Sequence, residues 1–117
     1  MLLTRRYRFE AARRLDRLPP SHPCSRLHGS SFSVVVQIEG EPDDNVGWIM
    51  DFADLDAVVG KVIGRLDHRY LNEIAGLESP TTERLTRWLF DALKAELKGL
   101  RRVEVWESPD SGCILTG

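Results

Sequence analysis

His28-Gly29-Ser30-Ser31-Phe32-Ser33-Val34-Val35-Val36-Gln37-Ile38 is the stretch that decides the fold. Phe32, Val34, Val36 and Ile38 fall on one side of an extended chain, and Ser33, Val35, Gln37 and Glu39 on the other. This two-residue period marks a strand with one apolar face. Working outward, Leu2 to Ala11 alternates around Tyr7 and Phe9 with arginines between, and reads as a second strand. Pro19, Pro20 and Pro23 lie between the two strands, where neither a helix nor a strand interior would accept them. Arg101 to Glu107 alternates again, with Val103 and Val105 facing one way and Glu104 and Trp106 the other. Gly112 to Thr116 is a short last strand.

Two helical patterns separate these strand pairs. Asp51 is placed to cap a helix running to about Leu66, with an apolar stripe of Leu55, Val58, Val59, Val62, Ile63 and Leu66. A second helix is expected from Ser79 as N-cap and Pro80 as first helical residue, with Leu85, Trp88, Leu89, Ala92, Leu93 and Leu97 on its buried face and Gly99 as its stop. The order strand, strand, helix, helix, strand, strand predicts a two-layer α+β domain over residues 1–117: a four-stranded antiparallel sheet with two helices on one face. So small a sheet leaves edges open, and pairing of edges between copies predicts a homo-oligomer.

Composition narrows the function classes. The chain has 117 residues, 42% hydrophobic and 29% charged, with a formal net charge of −2. Nothing in it points to nucleic acid. Arg5, Arg6, Arg8, Arg13, Arg14 and Arg17 make the N-terminal stretch locally basic, which suits either a solvated face or attraction for a phosphorylated ligand. Two cysteines, Cys24 and Cys113, make no disulfide framework. No signal peptide or long apolar run is read, so the expectation is a cytoplasmic protein without a membrane partner.

The chemistry-bearing residues are Cys24, His28, the Asp67-His68 pair and Glu107. Singly, each has an ordinary explanation: a small buried thiol, a hydrogen-bonded imidazole, a helix end, a surface charge. A histidine at residue 30 would share a strand face with His28. With a third histidine from a neighbouring strand, the pair would form an open three-histidine zinc site. Residue 30 is instead serine.

Taken together, six segments resemble the 6-pyruvoyltetrahydropterin synthase family, and most closely its 6-carboxytetrahydropterin synthase branch. Phe9-Glu-Ala-Ala resembles the family's F-x-A-A-H, and Cys24-Ser-Arg-Leu-His28-Gly29 its C-x-x-x-H-G-H. Gly47-Trp-Ile-Met-Asp51-Phe52 resembles G-x-x-x-D-F, Leu66-Asp67-His68-Arg-Tyr-Leu71-Asn72 resembles L-D-H-x-x-L-N, and Pro80-Thr81-Thr82-Glu83 resembles P-T-x-E. Val105-Trp-Glu107 resembles the strand that ends in the pterin-anchoring glutamate.

The resemblance implies a T-fold whose trimers close a barrel and stack in pairs to a hexamer, with sites between subunits. It implies a substrate like 7,8-dihydroneopterin triphosphate and a product like 6-carboxy-5,6,7,8-tetrahydropterin, or the 6-pyruvoyl compound in the other branch. Cys24 would be the thiolate base, Asp67 and His68 its proton-handling partners, and Glu107 the ring anchor, with Thr82 or Thr81 adding a polar contact. A carboxylate suits the ring because it accepts two adjacent N–H donors as a fork.

The family's zinc ligands fall on Arg13, His28 and Ser30, so two of three are replaced. Guanidinium does not ligate and serine is a poor zinc ligand. The expectation is therefore no cofactor and no zinc held in the family's manner. Arg13 either fills part of the vacated volume, meeting substrate oxygens or activating Cys24, or points away. Three readings stand: a zinc-independent pterin-forming lyase, a pterin-binding paralogue serving as a regulatory or mixed-oligomer subunit, and a metal-free aldolase-type cleavage of the pterin side chain.

Overall fold

The computed structural model describes residues 1–117. Strands β1 (Leu2–Arg13), β2 (His28–Glu39), β3 (Leu100–Trp106) and β4 (Gly112–Thr116) form one antiparallel sheet in the order β1-β2-β3-β4. Helices α1 (Phe52–Ile63) and α2 (Thr82–Lys94) lie between β2 and β3 in the chain. The expected α+β architecture is therefore present. No helix is long and apolar enough to cross a membrane.

The alternation read from the sequence places the core. Phe32, Val34, Val36, Val103 and Val105 are buried and meet Leu55, Val59, Val62, Leu85, Leu89 and Leu93 of the helices in one hydrophobic cluster. Phe9 stacks on Phe32 with ring centroids 5.0 Å apart, across the register that also pairs Ala11 with Ser30 and Arg13 with His28. β3 reaches β2 only as far as Ser33, opposite Trp106. Beyond that point β1 and β2 continue as a two-stranded ribbon. It draws the molecule out to 58 × 24 × 20 Å, with a radius of gyration of 15.4 Å, against roughly 13 Å for a compact chain of this length.

Several boundaries differ from the sequence reading. β1 runs on to Arg13, with Ala12 and Arg13 opposite Gly29 and His28 of β2, and the Ala12 N–H donates outside the pair to the Arg69 carbonyl at 2.9 Å. α1 ends at Ile63, and Leu66 is buried in the turn that follows. The N-cap of α2 is Thr81, not Ser79: its Oγ1 accepts the Arg84 N–H at 3.2 Å, and Pro80 precedes the cap. α2 ends at Lys94, before Gly99. That glycine is needed where the chain enters β3, since a Cβ there would lie 2.9 Å from the Glu39 carbonyl oxygen.

Two stability outcomes follow. Leu89→Ala, at a fully buried position, should cost about 2–5 kcal/mol in urea unfolding. Thr81→Ala should cost about 1 kcal/mol through loss of the cap.

Candidate active site

At the end of the sheet where β3 leaves β2, Arg13 and Glu107 meet. Both continue the inward-facing rows of their strands, Arg13 after Phe9 and Ala11, and Glu107 after Val103 and Val105. Arg13 Nη2 donates to Glu107 Oε2 at 2.6 Å, and Nη1 donates to the Pro80 carbonyl at 3.1 Å and to Thr82 Oγ1 at 3.3 Å. Thr82 Oγ1 in turn donates to the same Glu107 Oε2 at 2.7 Å. The guanidinium lies 5.0 Å from the centroid of the Phe32 ring, a cation–π contact. The Arg13 side chain is 6% exposed and that of Glu107 37%. Arg13 Nε–H is buried without a partner.

Of the alternatives left open for Arg13, pointing away is excluded. Its guanidinium turns inward, and what it holds is the carboxylate expected to anchor a ring. Of the two threonines, Thr82 reaches Glu107, whereas the Thr81 hydroxyl is committed to capping α2. The Thr82 hydrogen bond, followed by the hydrogen bond and charge of Arg13, holds the Glu107 carboxyl below the usual carboxylate range. Partial burial opposes this, and His28 adds a smaller pull in the same direction.

Arg13, His28 and Ser30 share the inner face, as the register requires. The three positions that the resemblance assigns to zinc ligands thus lie on one face, but the donors are a guanidinium, an imidazole and a hydroxyl. The guanidinium is already committed to Glu107, Thr82 and Pro80. His28 Nδ1 lies 2.8 Å from the Arg26 carbonyl, which leaves Nε2 as its one free donor position. No group of three His, Cys, Asp or Glu side chains suited to a metal occurs in the structure. These residues do not fit a three-histidine zinc site.

The Asp67-His68 segment sits on the outer edge of β1. Glu10 N–H donates to Asp67 Oδ1 at 3.0 Å, and His68 N–H donates to the Glu10 carbonyl at 2.6 Å. A parallel bridge joins Ala12 to Tyr70. Asn72 completes the clasp: its Oδ1 accepts from Arg14 N–H at 2.9 Å and its Nδ2 donates to the Arg14 carbonyl at 2.7 Å. Asp67 Oδ1 lies 2.9 Å from His68 Nδ1, which fixes the imidazole orientation, and the His68 side chain is 78% exposed. His68 is the one non-glycine residue with positive φ, at 59°. A cavity of about 450 Å³ beside it is lined by Glu10, Gly29, Ser31, Arg69 and Tyr70 among others.

Cys24 lies in a 3-10 turn over Pro23–Ser25, where His22 Nδ1 accepts the Cys24 N–H at 3.1 Å. Its thiol is half-buried and hydrogen-bonds to nothing within the protomer, Asp67 and His68 included. One protomer therefore joins Arg13, Thr82 and Glu107, and separately Asp67 and His68, but does not join Cys24 to either set. The Arg13–Glu107 pairing was not legible in the chain. The available signal was that both residues end inward-facing strand rows with opposite charge.

Because the folded-state pKa of Glu107 is depressed, its ionised form contributes stability above its unfolded pKa, and that stability is lost as pH falls through the folded value. Wild type should therefore exceed Glu107→Gln in urea midpoint most clearly at pH 6–7. The gap should close as pH falls below about 4. A gap independent of pH would contradict the ion pair.

Comparison with known proteins places this arrangement. The model of the 6-pyruvoyl tetrahydropterin synthase family matches residues 2–117. The chain is 40% identical over 92 residues to a dihydroneopterin monophosphate aldolase of Pyrococcus furiosus, covering 76% of this chain and 77% of that one. It is 38% identical over 115 residues to a 6-carboxy-5,6,7,8-tetrahydropterin synthase of Synechocystis sp., covering 92% and 86%. The structure of Caenorhabditis elegans 6-pyruvoyl tetrahydropterin synthase superposes with a TM-score of 0.92 at 25% identity, over 100% of this chain and 95% of that one. A match across nearly the whole length, in sequence and in fold, makes this chain a member of the 6-pyruvoyl tetrahydropterin synthase family.

Proposed function

We propose that the protein is a lyase that cleaves the side chain of a phosphorylated 7,8-dihydroneopterin, with Glu107 anchoring the pterin ring. The observation that carries this is the state of Glu107: ionised, oriented by Thr82, and partly exposed with Oε1 unengaged. An ionised carboxylate accepts the adjacent N–H donors of an aminopyrimidinone as a charge-assisted pair. Cys24 serves as the base that takes a side-chain proton. Asp67 fixes the tautomer of His68, and His68 carries the proton to the product or to solvent.

The first reading is a 6-carboxytetrahydropterin synthase-type reaction on the triphosphate, supported by the Synechocystis relative, which aligns over 92% of the chain. The second is a retro-aldol reaction, supported by the Pyrococcus furiosus relative at 40% identity. In that reaction the C2′ hydroxyl is deprotonated and the C1′–C2′ bond breaks. Its electrons enter the imine of the dihydropterin, and C1′ is reprotonated to give a 6-hydroxymethyl product and a phosphorylated glycolaldehyde. Both start from the same ring anchor and a proton abstraction. In both, positioning and acid–base chemistry fall to residues this chain possesses, without the three-histidine zinc set.

The oligomer belongs to the same reading. The isolated protomer leaves the Cys24 thiol without a polar partner and His68 exposed at a sheet edge. A homo-oligomer, a hexamer built as a dimer of trimers, completes the site by bringing Cys24 of one copy to the Asp67–His68 pair of another.

Separate incubations with 7,8-dihydroneopterin triphosphate and monophosphate, with products identified by mass spectrometry with and without chelator, test the proposal. The expected result is chelator-resistant cleavage. A 6-carboxytetrahydropterin product selects the first reading and a 6-hydroxymethyldihydropterin product the second. Cys24→Ala should lower turnover by about 10²–10⁴-fold with little change in ring binding. Binding without turnover of either substrate would instead leave a pterin-binding paralogue.

A further inference from the structure

Glu107 Oε2 already accepts two hydrogen bonds, from Thr82 Oγ1 and Arg13 Nη2. A carboxylate oxygen has two acceptor positions, so Oε2 is full. A ligand presenting two adjacent N–H donors needs both oxygens. It can seat fully only if one present donor leaves. Thr82 is fixed at the first turn of α2, while Arg13 is a long side chain reaching across the sheet. Of the two, Arg13 has the longer reach and an unpaired N–H to offer elsewhere.

Its departure has a cost that a ring alone does not offset, because the Arg13 side chain is 94% buried and its cation would be left without a counter-charge. The orphaned Nε–H shows what would offset it. Nε–H and the outward Nη2–H form one edge of the guanidinium, a fork matched to two oxygens of an anion. Glu107 is held by Nη2, and the Nε–H beside it has no partner. On the same inner face, His28 Nε2 and Ser30 Oγ also lack partners, and both residues are half-buried. A phosphate oxygen pair on the Nε–Nη2 edge would engage the orphan and replace the charge that Glu107 withdraws.

The geometry points to Arg13 as a specificity-determining residue: it occupies the ring-anchoring carboxylate in the free protein and surrenders it to a ligand that carries both the fork of ring N–H donors and an anionic tail. This rests on the reading of Glu107 as ring anchor and extends it. Position 13, a metal-ligand position in the family, here enforces a requirement for phosphate. A ring without an anion must break the ion pair, whereas a ring with a phosphate exchanges it for two new pairings.

The test uses oxidised neopterin and neopterin 3′-monophosphate as non-reacting probes, titrated by calorimetry into the full-length protein. Wild type should prefer the phosphate by about tenfold or more. Arg13→Met should lose that preference and bind phosphate-free neopterin several-fold more tightly than wild type does. Arg13→Lys, which keeps the cation, should retain part of the preference. Unchanged preference in Arg13→Met, or weaker binding of phosphate-free neopterin, overturns the inference. A measurement on wild type alone guards against a misfolded variant. Millimolar inorganic phosphate should raise the affinity for phosphate-free neopterin, since each ligand takes one half of the pair; no effect, or competition, overturns it. Glu107→Gln should lose binding of both probes, and if it does not, the ring-anchor reading fails instead.

Discussion

A buried guanidinium must have a counter-charge, and in this protein that requirement joins three elements. Arg13 at the end of β1 is held by Glu107 after β3 and by Thr82 and Pro80 at the start of α2. Removing one partner of such a pair leaves an uncompensated charge in the protein. Residues 94 positions apart in the chain are thereby fixed against each other. The stacked Phe9–Phe32 pair floors the site, and the guanidinium lies over Phe32. Thr82 connects the pair to the helix without spending the N-cap, because Thr81 supplies that.

The same interaction accounts for the corner where Arg13, His28 and Ser30 share a face. Had only position 30 changed, two imidazoles would still face each other across the β1–β2 ribbon. With arginine at position 13, the corner carries a permanent charge whose hydrogen bonds are directed toward Glu107. What arginine places in that corner is a fork of N–H donors. A fork selects oxyanions by geometry, but it does not generate a nucleophile or polarise an oxygen as a metal does. In the proposed reaction, proton movement falls to Cys24 and to the Asp67–His68 pair. That pair is carried on a segment clasped to β1 through Glu10, Ala12 and Asn72. The clasp holds His68 at a positive φ, which a histidine adopts only when its surroundings impose it.

Much of the fold was legible because its signals are local. The alternation through Phe32, Val34 and Val36 gave the buried face of β2, and the stripe through Leu85, Leu89 and Leu93 gave that of α2. The errors fall where a distant segment or competing local chemistry decides. Ser79 and Thr81 flank Pro80, and either hydroxyl suits a cap, so the choice rested on tertiary position. Ala12 and Arg13 joined β1 opposite Gly29 and His28 of β2. The candidate site residues came from family resemblance, and of these Thr82 and Glu107 meet. What the chain did not reveal is that Arg13 and Glu107 are one unit, because opposite charges 94 residues apart leave no periodic trace.

A double-mutant cycle on Arg13→Met and Glu107→Gln, read by urea unfolding at pH 7, measures whether the two side chains act as one unit. The two losses should be strongly non-additive, with a coupling of about 1–3 kcal/mol, because either single change already breaks the pair. Additive losses, with coupling near zero, would show that the two side chains act independently and would contradict the pairing.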